Sequence, residues 1–399
     1  MENRAKKIVE EKINKLRKDT PIKKFNNDKL AEIEINKFFY NGRMIDRVMV
    51  VLRTNGCEHY QKTGGCSMCS HFNGTSINEL ITTSNYKKQW DSVLNGDGIE
   101  TYDFKFDLNN FPVVCIYNLG SFLNKNEISL EAAEYIFKTL DKFDGVEKAI
   151  IESRAEYVTN ESINNIKKVY SKVIEVGIGV ESTNTKIREL CHHKGIDDLN
   201  IVKQAVDTLH KYGCKALAYV NLKPIFLTEQ EAIDDAVQTC LDCIKMGFDA
   251  ISIEPTSLQD YSLANYLYEI GQYRVPWLWS IREILDIIYQ KIDYKYDFRI
   301  GGYFDEEVLS GSQGVGYEGK NELFPHLTSS NCSICTADFV NKIKKFNATY
   351  DISNLYDIAE CPHCYHIWEA TKNIKDSRTI EQRIFDILGD NNENKMWSM

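Results

Sequence analysis

The 399-residue chain lacks any long hydrophobic run. No stretch approaches the roughly 20 consecutive apolar residues that a membrane-spanning helix requires. The N-terminal segment 1–18 is charged throughout and has no apolar core of the kind found in secretory signal peptides. We therefore expect a cytoplasmic protein with no membrane segment.

The chain also lacks an excess of positive charge. It has 48 Lys and Arg against 58 Asp and Glu, which gives a net charge of −10. Because contacts with nucleic-acid phosphates require positive charge, this total disfavours a nucleic-acid partner. It does not exclude one, since a local basic patch can lie on an acidic protein.

No sequence repeat of 20–50 residues is visible. Instead, apolar runs alternate with helical patterns from residue 48 onward. Continuous apolar strands between helices predict a parallel sheet that is covered on both faces. Six such units favour a fold of the α/β class, a partial (β/α)6 barrel. The predicted strands are 48–52, 113–117, 148–152, 173–181, 216–222 and 250–255.

Helical patterns fill most connections between these strands. One begins at Ser129, one at Asn160, and a third follows the capping box formed by Thr228 and Glu231. The Lys-, Glu- and Asn-rich start predicts an amphipathic scaffold helix and a linker. The segment GSQGVGYEGKNELFP is Gly-rich and predicts a loop. We expect an N-terminal helical extension (1–45), the barrel (46–305), a C-terminal metal-binding module (306–375) and a polar tail (376–399).

The chain has 12 cysteines, which in a cytosolic protein indicate metal ligands, catalytic groups or small core residues instead of disulfides. Seven of them fall in two tight groups. The other five are explained at least as well by core packing as by chemistry. These five are Cys115, Cys191, Cys214, Cys240 and Cys243.

The first group is Cys57, Cys66 and Cys69, in the segment CEHYQKTGGCSMCSHF directly after the first predicted strand. Three thiolates can hold three irons of a [4Fe–4S] cluster, and the fourth iron then stays open to a ligand such as an amino acid. Barrel enzymes place their chemistry at the carboxyl ends of strands. The alternatives are three buried cysteines or a structural zinc site with His59 or His71 as fourth ligand.

Several segments, taken together with this triplet, resemble the radical-SAM family related to the Elongator catalytic subunit, where the first cysteine gap is also long. Within it, the chain is more similar to the radical-SAM subunits of archaeosine synthase. The matching segments are 51–71, 117–124, 152–159, 177–183, 221–233, 252–280 and the C-terminal cysteines.

The resemblance implies roles for polar residues at the strand ends. A charge buried there without a partner would be costly, which favours a site over a core role. For Arg154 an ordinary surface ion pair is the alternative, and Glu254 is expected to face the substrate. The residues expected to bind S-adenosylmethionine (SAM) are Gly120, Ser121, Phe122, Glu152, Arg154, Glu181 and Lys223.

The aromatic segment GQYRVPWLWS offers two interpretations. Arg274, Trp277 and Trp279 could stack on a flipped-out base. We favour the alternative, in which the two tryptophans belong to the hydrophobic core.

The second cysteine group has the pattern CxxC…CxxC, formed by Cys332, Cys335, Cys361 and Cys364, with 25 residues between the pairs. Four thiolates close a tetrahedral zinc site, and a small module needs such a cross-link. An auxiliary iron–sulfur cluster is the alternative. The neighbouring His363 and His366 are not needed as ligands.

The resemblance implies a lyase-type radical-SAM enzyme of tRNA modification. An external electron donor would reduce the cluster, and SAM cleavage would yield a 5′-deoxyadenosyl radical. The implied substrate is a lysine-bearing 7-deazaguanine in tRNA, converted to archaeosine by cleavage of the lysine side chain. The implied partner is the archaeosine synthase subunit that attaches the lysine. The alternatives are a radical-SAM enzyme acting on a small molecule or peptide, and a non-catalytic zinc or RNA-binding protein.

Overall fold

A single sheet organises the protein. The computed structural model describes residues 1–97, 99, 105–292, 296–303, 306–311, 328–356 and 358–389. In these residues nine strands form one sheet with the spatial order β8-β7-β6-β5-β4-β3-β2-β1-β9. The strands are β1 (Glu32–Tyr40), β2 (Arg43–Val51), β3 (Val113–Tyr117), β4 (Lys148–Ser153), β5 (Val173–Glu181), β6 (Lys215–Leu222), β7 (Ala250–Pro255), β8 (Asp297–Ile300) and β9 (Glu306–Gly311).

Strands β2 to β8 run parallel, each paired with its sequence neighbour. Helical connections separate most of them, as right-handed parallel crossovers require. All six predicted strands are present, and the predicted α/β partial barrel is confirmed. The short β8 adds a seventh parallel strand that the apolar pattern did not predict.

Helices connect the strands and cover the sheet. Each long connection provides an apolar helix face that packs on the strands, so Val, Ile and Leu side chains are removed from water. They are α1 (Glu2–Lys18), α2 (Glu58–Thr63), α3 (Thr83–Asn95), α4 (Leu130–Leu140), α5 (Asn160–Lys167), α6 (Asn200–Lys211), α7 (Glu229–Met246), α8 (Leu263–Glu269), α9 (Leu278–Lys291), α10 (Thr336–Thr349), α11 (Ser353–Tyr356), α12 (Tyr365–Lys372) and α13 (Ile380–Leu388).

The helix starts follow the capping chemistry of the sequence. Ser129 caps α4, and the capping box of Thr228 and Glu231 opens α7 as predicted. Helix α5 begins at Asn160 as predicted, and its cap is Thr159, whose hydroxyl accepts the backbone N–H of Ser162. A hydroxyl at this position satisfies a backbone donor that the helix cannot.

The N-terminal region differs from the predicted helical extension. Helix α1 is present, but β1 follows it and pairs antiparallel with both β2 and β9. The segment EIEINKFFY of β1 alternates only in part, so its polar residues concealed the strand. Near the C-terminus, α13 lies within the segment expected to be a polar tail, and its Ile384 joins Val9 and Ile13 of α1 in one apolar cluster.

Charged side chains near the amino ends of the strands form a buried ion cluster. Glu175 of β5 pairs with Lys148 of β4 and, at 2.7 Å, with Arg299 of β8. All three side chains are less than a tenth exposed. Charges at this end of a barrel serve stability, because the chemistry lies at the opposite end.

Two sequence features fall largely outside the described residues. The Gly-rich segment that was predicted to be a loop spans residues 311–325 and lies outside the described residues from 312 onward, and the polar end lies outside them from residue 390. Among the described helices, none combines the length and hydrophobicity that crossing a bilayer would require.

Candidate functional site

The first cysteine group lies beyond the carboxyl end of β2. Cys57 precedes α2, and the chain leaves that helix through Gly64 and Gly65, whose φ angles are +83° and +79°. Glycine adopts this left-handed conformation without strain. The turn brings Cys66 and Cys69 back beside the barrel, and all three cysteine residues are half-buried.

The loop is held in place by backbone hydrogen bonds. The N–H of Ser67, between the second and third cysteines, donates to the His192 carbonyl at 2.9 Å, and its hydroxyl donates to the Cys191 carbonyl at 2.5 Å. The Ser67 carbonyl accepts the N–H of Leu263 at 2.8 Å. Two segments that are distant in sequence therefore hold in place a loop that has little regular secondary structure.

The two histidines of this loop differ. The His71 side chain hydrogen-bonds to Cys69, whereas His59 is not available as a zinc ligand. Both ring nitrogens of His59 are engaged, Nε2 at 2.8 Å from the His193 carbonyl oxygen and Nδ1 at 3.2 Å from Thr63 Oγ1. Among the described residues, the three loop cysteines form no group of ligand atoms lying within 4.8 Å of one another. One tetrahedral zinc would hold its sulfur ligands about 3.8 Å apart. A cubane places several atoms between its thiolates, so the limit of about 3.8 Å for a single zinc does not apply to a [4Fe–4S] cluster.

Burial controls the protonation of the first cysteine. Burial, together with the nearby Glu127 carboxylate, raises the pKa of the Cys57 thiol to about 12. The thiol is therefore protonated at neutral pH. A metal that binds there must displace the proton, as metals do at thiol ligands.

The loop after β3 lies against Cys57. A Cβ atom added to Gly120 would lie 3.3 Å from the Cys57 Cα and would collide with the Glu127 carboxylate. Glu127 accepts the backbone N–H groups of Glu58 at 2.9 Å and Ser121 at 2.5 Å. One buried carboxylate thus connects the cysteine loop to the β3 loop, and only glycine leaves room for it.

The other two residues of the predicted SAM-binding loop are buried. Phe122 packs in the core with its ring 5.7 Å from that of Phe137. The hydroxyl of Ser121 accepts the Arg154 backbone N–H at 3.2 Å, and the Arg154 guanidinium pairs with Glu156 at 2.5 Å. Arg154 is only 8% exposed, so its ion pair is not an ordinary surface contact.

Carboxylates from several strands of the sheet line the barrel mouth. Glu152 of β4 accepts a hydrogen bond from the Tyr219 hydroxyl at 2.9 Å, and burial raises the pKa of this carboxyl. Glu254 of β7 accepts from Ser252 at 2.6 Å, and burial raises its pKa to about 7. Near pH 7 a large fraction of Glu254 is therefore protonated, so this carboxyl can donate a hydrogen bond to a ligand as well as accept one.

Glu181 carries a negative charge in this mouth. Although burial disfavours the charge, the Lys194 ammonium at 2.7 Å holds the pKa of Glu181 below its usual range. The backbone of Glu181 has φ +61°, a conformation that costs a non-glycine residue energy. Such strain clusters at functional sites.

Glycines on the strands make space for these polar groups. A Cβ atom on Gly177 would lie 2.6 Å from the Tyr219 ring, and one on Gly179 would lie 2.7 Å from a Glu181 oxygen. A Cβ on Gly301, beyond β8, would collide with Glu254. The glycines therefore line the barrel mouth and leave the polar side chains room to lie across it.

The remaining predicted residue, Lys223, is committed to a partner within the protein. Its ammonium pairs with Glu229 at 2.5 Å, and the Tyr273 hydroxyl donates to its backbone carbonyl at 2.5 Å. The Glu229 carboxylate also accepts from Ser280 at 2.6 Å. With φ +65°, the Lys223 backbone is strained as well.

The C-terminal cysteines converge on one point. The Sγ atoms of Cys332 and Cys335 are 3.7 Å apart, those of Cys332 and Cys361 are 3.7 Å apart, and those of Cys335 and Cys364 are 3.5 Å apart. All four sulfurs lie within 4.8 Å of one another. The arrangement is that of a four-thiolate metal centre. His363, two residues after Cys361, is exposed and does not belong to the group.

The tryptophans of the aromatic segment belong to the core. Trp277 and Trp279 are 7% and 1% exposed, which confirms the favoured interpretation. The Trp279 indole N–H points at the Cys364 sulfur at 3.4 Å. Arg274 lies over the Trp277 ring at 3.5 Å and donates to the backbone carbonyls of Val275 and Ser330.

Reasoning from the sequence did not identify three residues that matter to this geometry. They are Glu127, Lys194 and Trp279, the last as a contact of the C-terminal cysteines. Each acts on a segment far from it along the chain or through a contact that no local motif encodes. Only the buried position of a charged residue would have identified the first two.

Likeness to solved structures is limited in extent. The archaeal Elp3 of Methanocaldococcus infernus matches 48% of this chain and 47% of its own, with a TM-score of 0.39 and 15% identity. A queuine lyase from Clostridium spiroforme, solved with SAM and queuine, matches 67% of this chain and 95% of its own, with a TM-score of 0.42 and 18% identity.

Sequence relatives decide the family. No protein-family model matches the chain. An uncharacterised protein of Methanocaldococcus jannaschii is 35% identical over 83% of both chains. The archaeosine synthase subunit beta of Methanosarcina acetivorans is 30% identical over 84% of this chain and 88% of its own. That of Thermococcus kodakarensis is 31% identical over 81% and 90%. The chain belongs to the archaeosine synthase subunit beta family, as its resemblance in sequence implied.

Proposed function

We propose that this protein is a radical-SAM enzyme that modifies tRNA. The observation that carries the proposal is the loop that places Cys57, Cys66 and Cys69 beyond the carboxyl end of β2, at the mouth of the barrel. Three thiolates without a fourth leave one iron of a [4Fe–4S] cluster open. That open position is what a bound SAM molecule needs.

The residues of the chain prepare this position. The three cysteines would hold the cluster, and Glu127 fixes the loops on both sides of Cys57. When bound, the cluster and SAM supply a 5′-deoxyadenosyl radical, using one electron from an external donor. The buried walls of the barrel mouth exclude water, which protects such a reactive species.

The strand-end residues are proposed to orient SAM. The loop of Gly120 and Ser121 lies against Cys57, so its backbone can approach a ligand on the cluster. Glu152 and Glu181 face the same mouth, and the Glu181 carboxylate is suited to accept hydrogen bonds from ribose hydroxyls. Three of the predicted SAM-binding residues already contact other residues of the protein: Arg154, Phe122 and Lys223. We therefore assign them a structural role at the barrel mouth.

The proposed substrate is a lysine-bearing 7-deazaguanine in tRNA, converted to archaeosine by radical cleavage of the lysine side chain. The names of the two relatives support it, since both are called archaeosine synthase subunit beta. A beta subunit also implies a partner subunit, which we propose attaches the lysine. With a net charge of −10, the protein would rely on that partner for much of its RNA affinity.

The C-terminal centre is proposed to hold structural zinc. Zinc–thiolate bonds of about 2.3 Å at tetrahedral angles set neighbouring sulfurs about 3.8 Å apart. The distances of 3.5–3.7 Å between the cysteine sulfurs match this value. An iron–sulfur cluster would place its thiolates farther apart. Four protein ligands close the site, so its role is to stabilise the module.

The first experiment reconstitutes the protein anaerobically with iron and sulfide, adds reductant and SAM, and measures 5′-deoxyadenosine. We expect product from the wild-type protein and none from Cys66→Ala. The matched control is Cys214→Ala, which removes a thiol far from the loop and should leave product formation unchanged. No 5′-deoxyadenosine from an iron-loaded wild-type protein would contradict the proposed chemistry.

The second experiment tests the substrate by nucleoside analysis of tRNA from cells that lack the protein. Accumulation of the lysine-bearing deazaguanine, with loss of archaeosine, is the expected result. Unchanged tRNA in these cells would refute the substrate assignment. If SAM cleavage were still observed in vitro, the substrate would be a small molecule or peptide instead.

A further inference from the structure

Arg17, in the last turn of α1, contacts the cysteine loop directly. Its Nε donates to the Gly64 carbonyl at 3.0 Å, and its Nη2 donates to the carbonyls of Cys66 and Cys69, each at 3.0 Å. Nη1 donates to the Tyr261 carbonyl at 2.5 Å. One side chain of the N-terminal helix α1 thus binds three carbonyls in the second half of the cysteine loop and one carbonyl of a segment distant in sequence.

The guanidinium is buried and has no carboxylate partner among its hydrogen bonds in the described residues. Arg17 is only 9% exposed, and its guanidinium lies 4.3 Å from the centre of the Phe72 ring. All four of its acceptors are neutral carbonyl oxygens. A buried cation without a counter-charge is costly, and an anion bound next to it would offset that cost.

We propose that Arg17 is a positioning residue that locks the cysteine loop and raises the reduction potential of the cluster. This proposal rests on the proposed function, because it requires a cluster at Cys57, Cys66 and Cys69. Three thiolates give the cluster a net negative charge, and reduction adds one more electron. A fixed positive charge against the loop favours the reduced state, and arginine keeps its charge at every physiological pH.

The geometry also explains how a long first cysteine gap can be tolerated. Eight residues separate Cys57 from Cys66, and the helix α2 occupies most of them. Arg17 adds to the hydrogen bonds by which Gly65, Ser67 and Ser70 hold the part of the loop after Gly64. The planar fork of an arginine can meet several carbonyls at once, which the single ammonium of a lysine cannot.

The test compares three variants of the full-length protein after anaerobic reconstitution. Arg17→Met removes both the charge and the hydrogen bonds, whereas Arg17→Lys keeps the charge. The matched control is Lys18→Met, which removes the same charge from an exposed neighbour on the same helix turn. For each we measure iron and sulfide per chain, the thermal unfolding curve, and the cluster midpoint potential by EPR-monitored titration.

We expect Arg17→Met to lose several-fold in iron content and to shift the midpoint potential of the remaining cluster to a more negative value. Arg17→Lys should bind less iron than wild type but keep a potential close to it, and Lys18→Met should match wild type in both. If Arg17→Met fails to fold, Arg17→Lys tests the proposal alone. A wild-type iron content in Arg17→Lys would overturn the locking role. A midpoint potential that differs from wild type in Arg17→Lys would overturn the role of the positive charge.

The outcomes separate the two proposals. A wild-type protein that binds a cluster, together with an Arg17→Met protein of unchanged iron content and potential, refutes the role of Arg17 and leaves the proposed function standing. A wild-type protein that binds no iron at the loop refutes both.

Discussion

Asp235 of α7 carries a carboxyl group that the fold holds in an unfavourable environment. Ser182 donates a hydrogen bond to its Oδ1 at 2.7 Å, whereas Oδ2 has no hydrogen-bond partner in the described residues. Burial raises the pKa of Asp235 to about 7, and Ser182 and Arg188 oppose the change only in part. The ordinary pKa of 3.8 applies in the unfolded chain.

This difference links stability to pH. Between about pH 4 and pH 7 the folded protein binds one proton more at this site than the unfolded chain. The free energy of unfolding therefore falls as the pH rises through that window. Since a difference of one pK unit is worth about 1.4 kcal/mol, the destabilisation at pH 8 reaches at most about 4 kcal/mol.

The substitution Asp235→Asn removes the ionisation and keeps an acceptor for Ser182. We expect it to raise the free energy of unfolding by about 2–4 kcal/mol at pH 8 and by only about 1–2 kcal/mol at pH 5. Urea unfolding followed by circular dichroism at both pH values measures the difference. The control is Asp234→Asn, an exposed neighbour on the same helix. A gain for Asp235→Asn that is equal at the two pH values, or a loss at pH 8, would refute the reasoning.

Three further predictions test other parts of the structure. Glu175→Gln removes the carboxylate partner of the buried Lys148 and one of the two carboxylate partners of Arg299, so urea unfolding should show a loss of about 3–5 kcal/mol; a loss below 1 kcal/mol would contradict it. Cys361→Ser opens the four-thiolate centre, so metal analysis should show loss of zinc while iron at the first loop is retained; an equal loss of iron would assign iron to both centres. Gly120→Ala forces a methyl group onto the Glu127 carboxylate, so SAM binding measured by calorimetry should weaken at least tenfold; unchanged affinity would remove this loop from the SAM site.

The parallel strands could be predicted because each is a continuous apolar run between helical patterns. The same rule could not find β1, whose Glu32, Glu34 and Asn36 are buried polar residues on a strand. Their burial depends on partners such as Arg47, which donates to Asn36 at 2.8 Å across the β1–β2 hairpin. Hydrophobic periodicity has no means of anticipating a strand that is stabilised by buried polar contacts.

The site was predictable where chemistry is encoded in local spacing, and not elsewhere. The spacing of the C-terminal cysteine pairs correctly indicated that four thiols converge on one point, because two CxxC motifs suffice to define such a group. The residues that hold the loops in place could not be predicted, because no local spacing marks them. Arg17 and Glu127 act on loops that are about 50 and 70 residues away in sequence, and Arg17 lay in a segment whose charge pattern indicated only a solvated scaffold helix.

The central claim is one open iron in a cluster held by Cys57, Cys66 and Cys69. The most direct measurement is the EPR spectrum of the reduced protein before and after addition of SAM, in a Cys332→Ser and Cys335→Ser double variant that removes the second centre. We expect a [4Fe–4S] signal whose g-values shift when SAM binds. A signal that SAM leaves unchanged, or a protein that takes up zinc and no iron at this loop, would contradict the account.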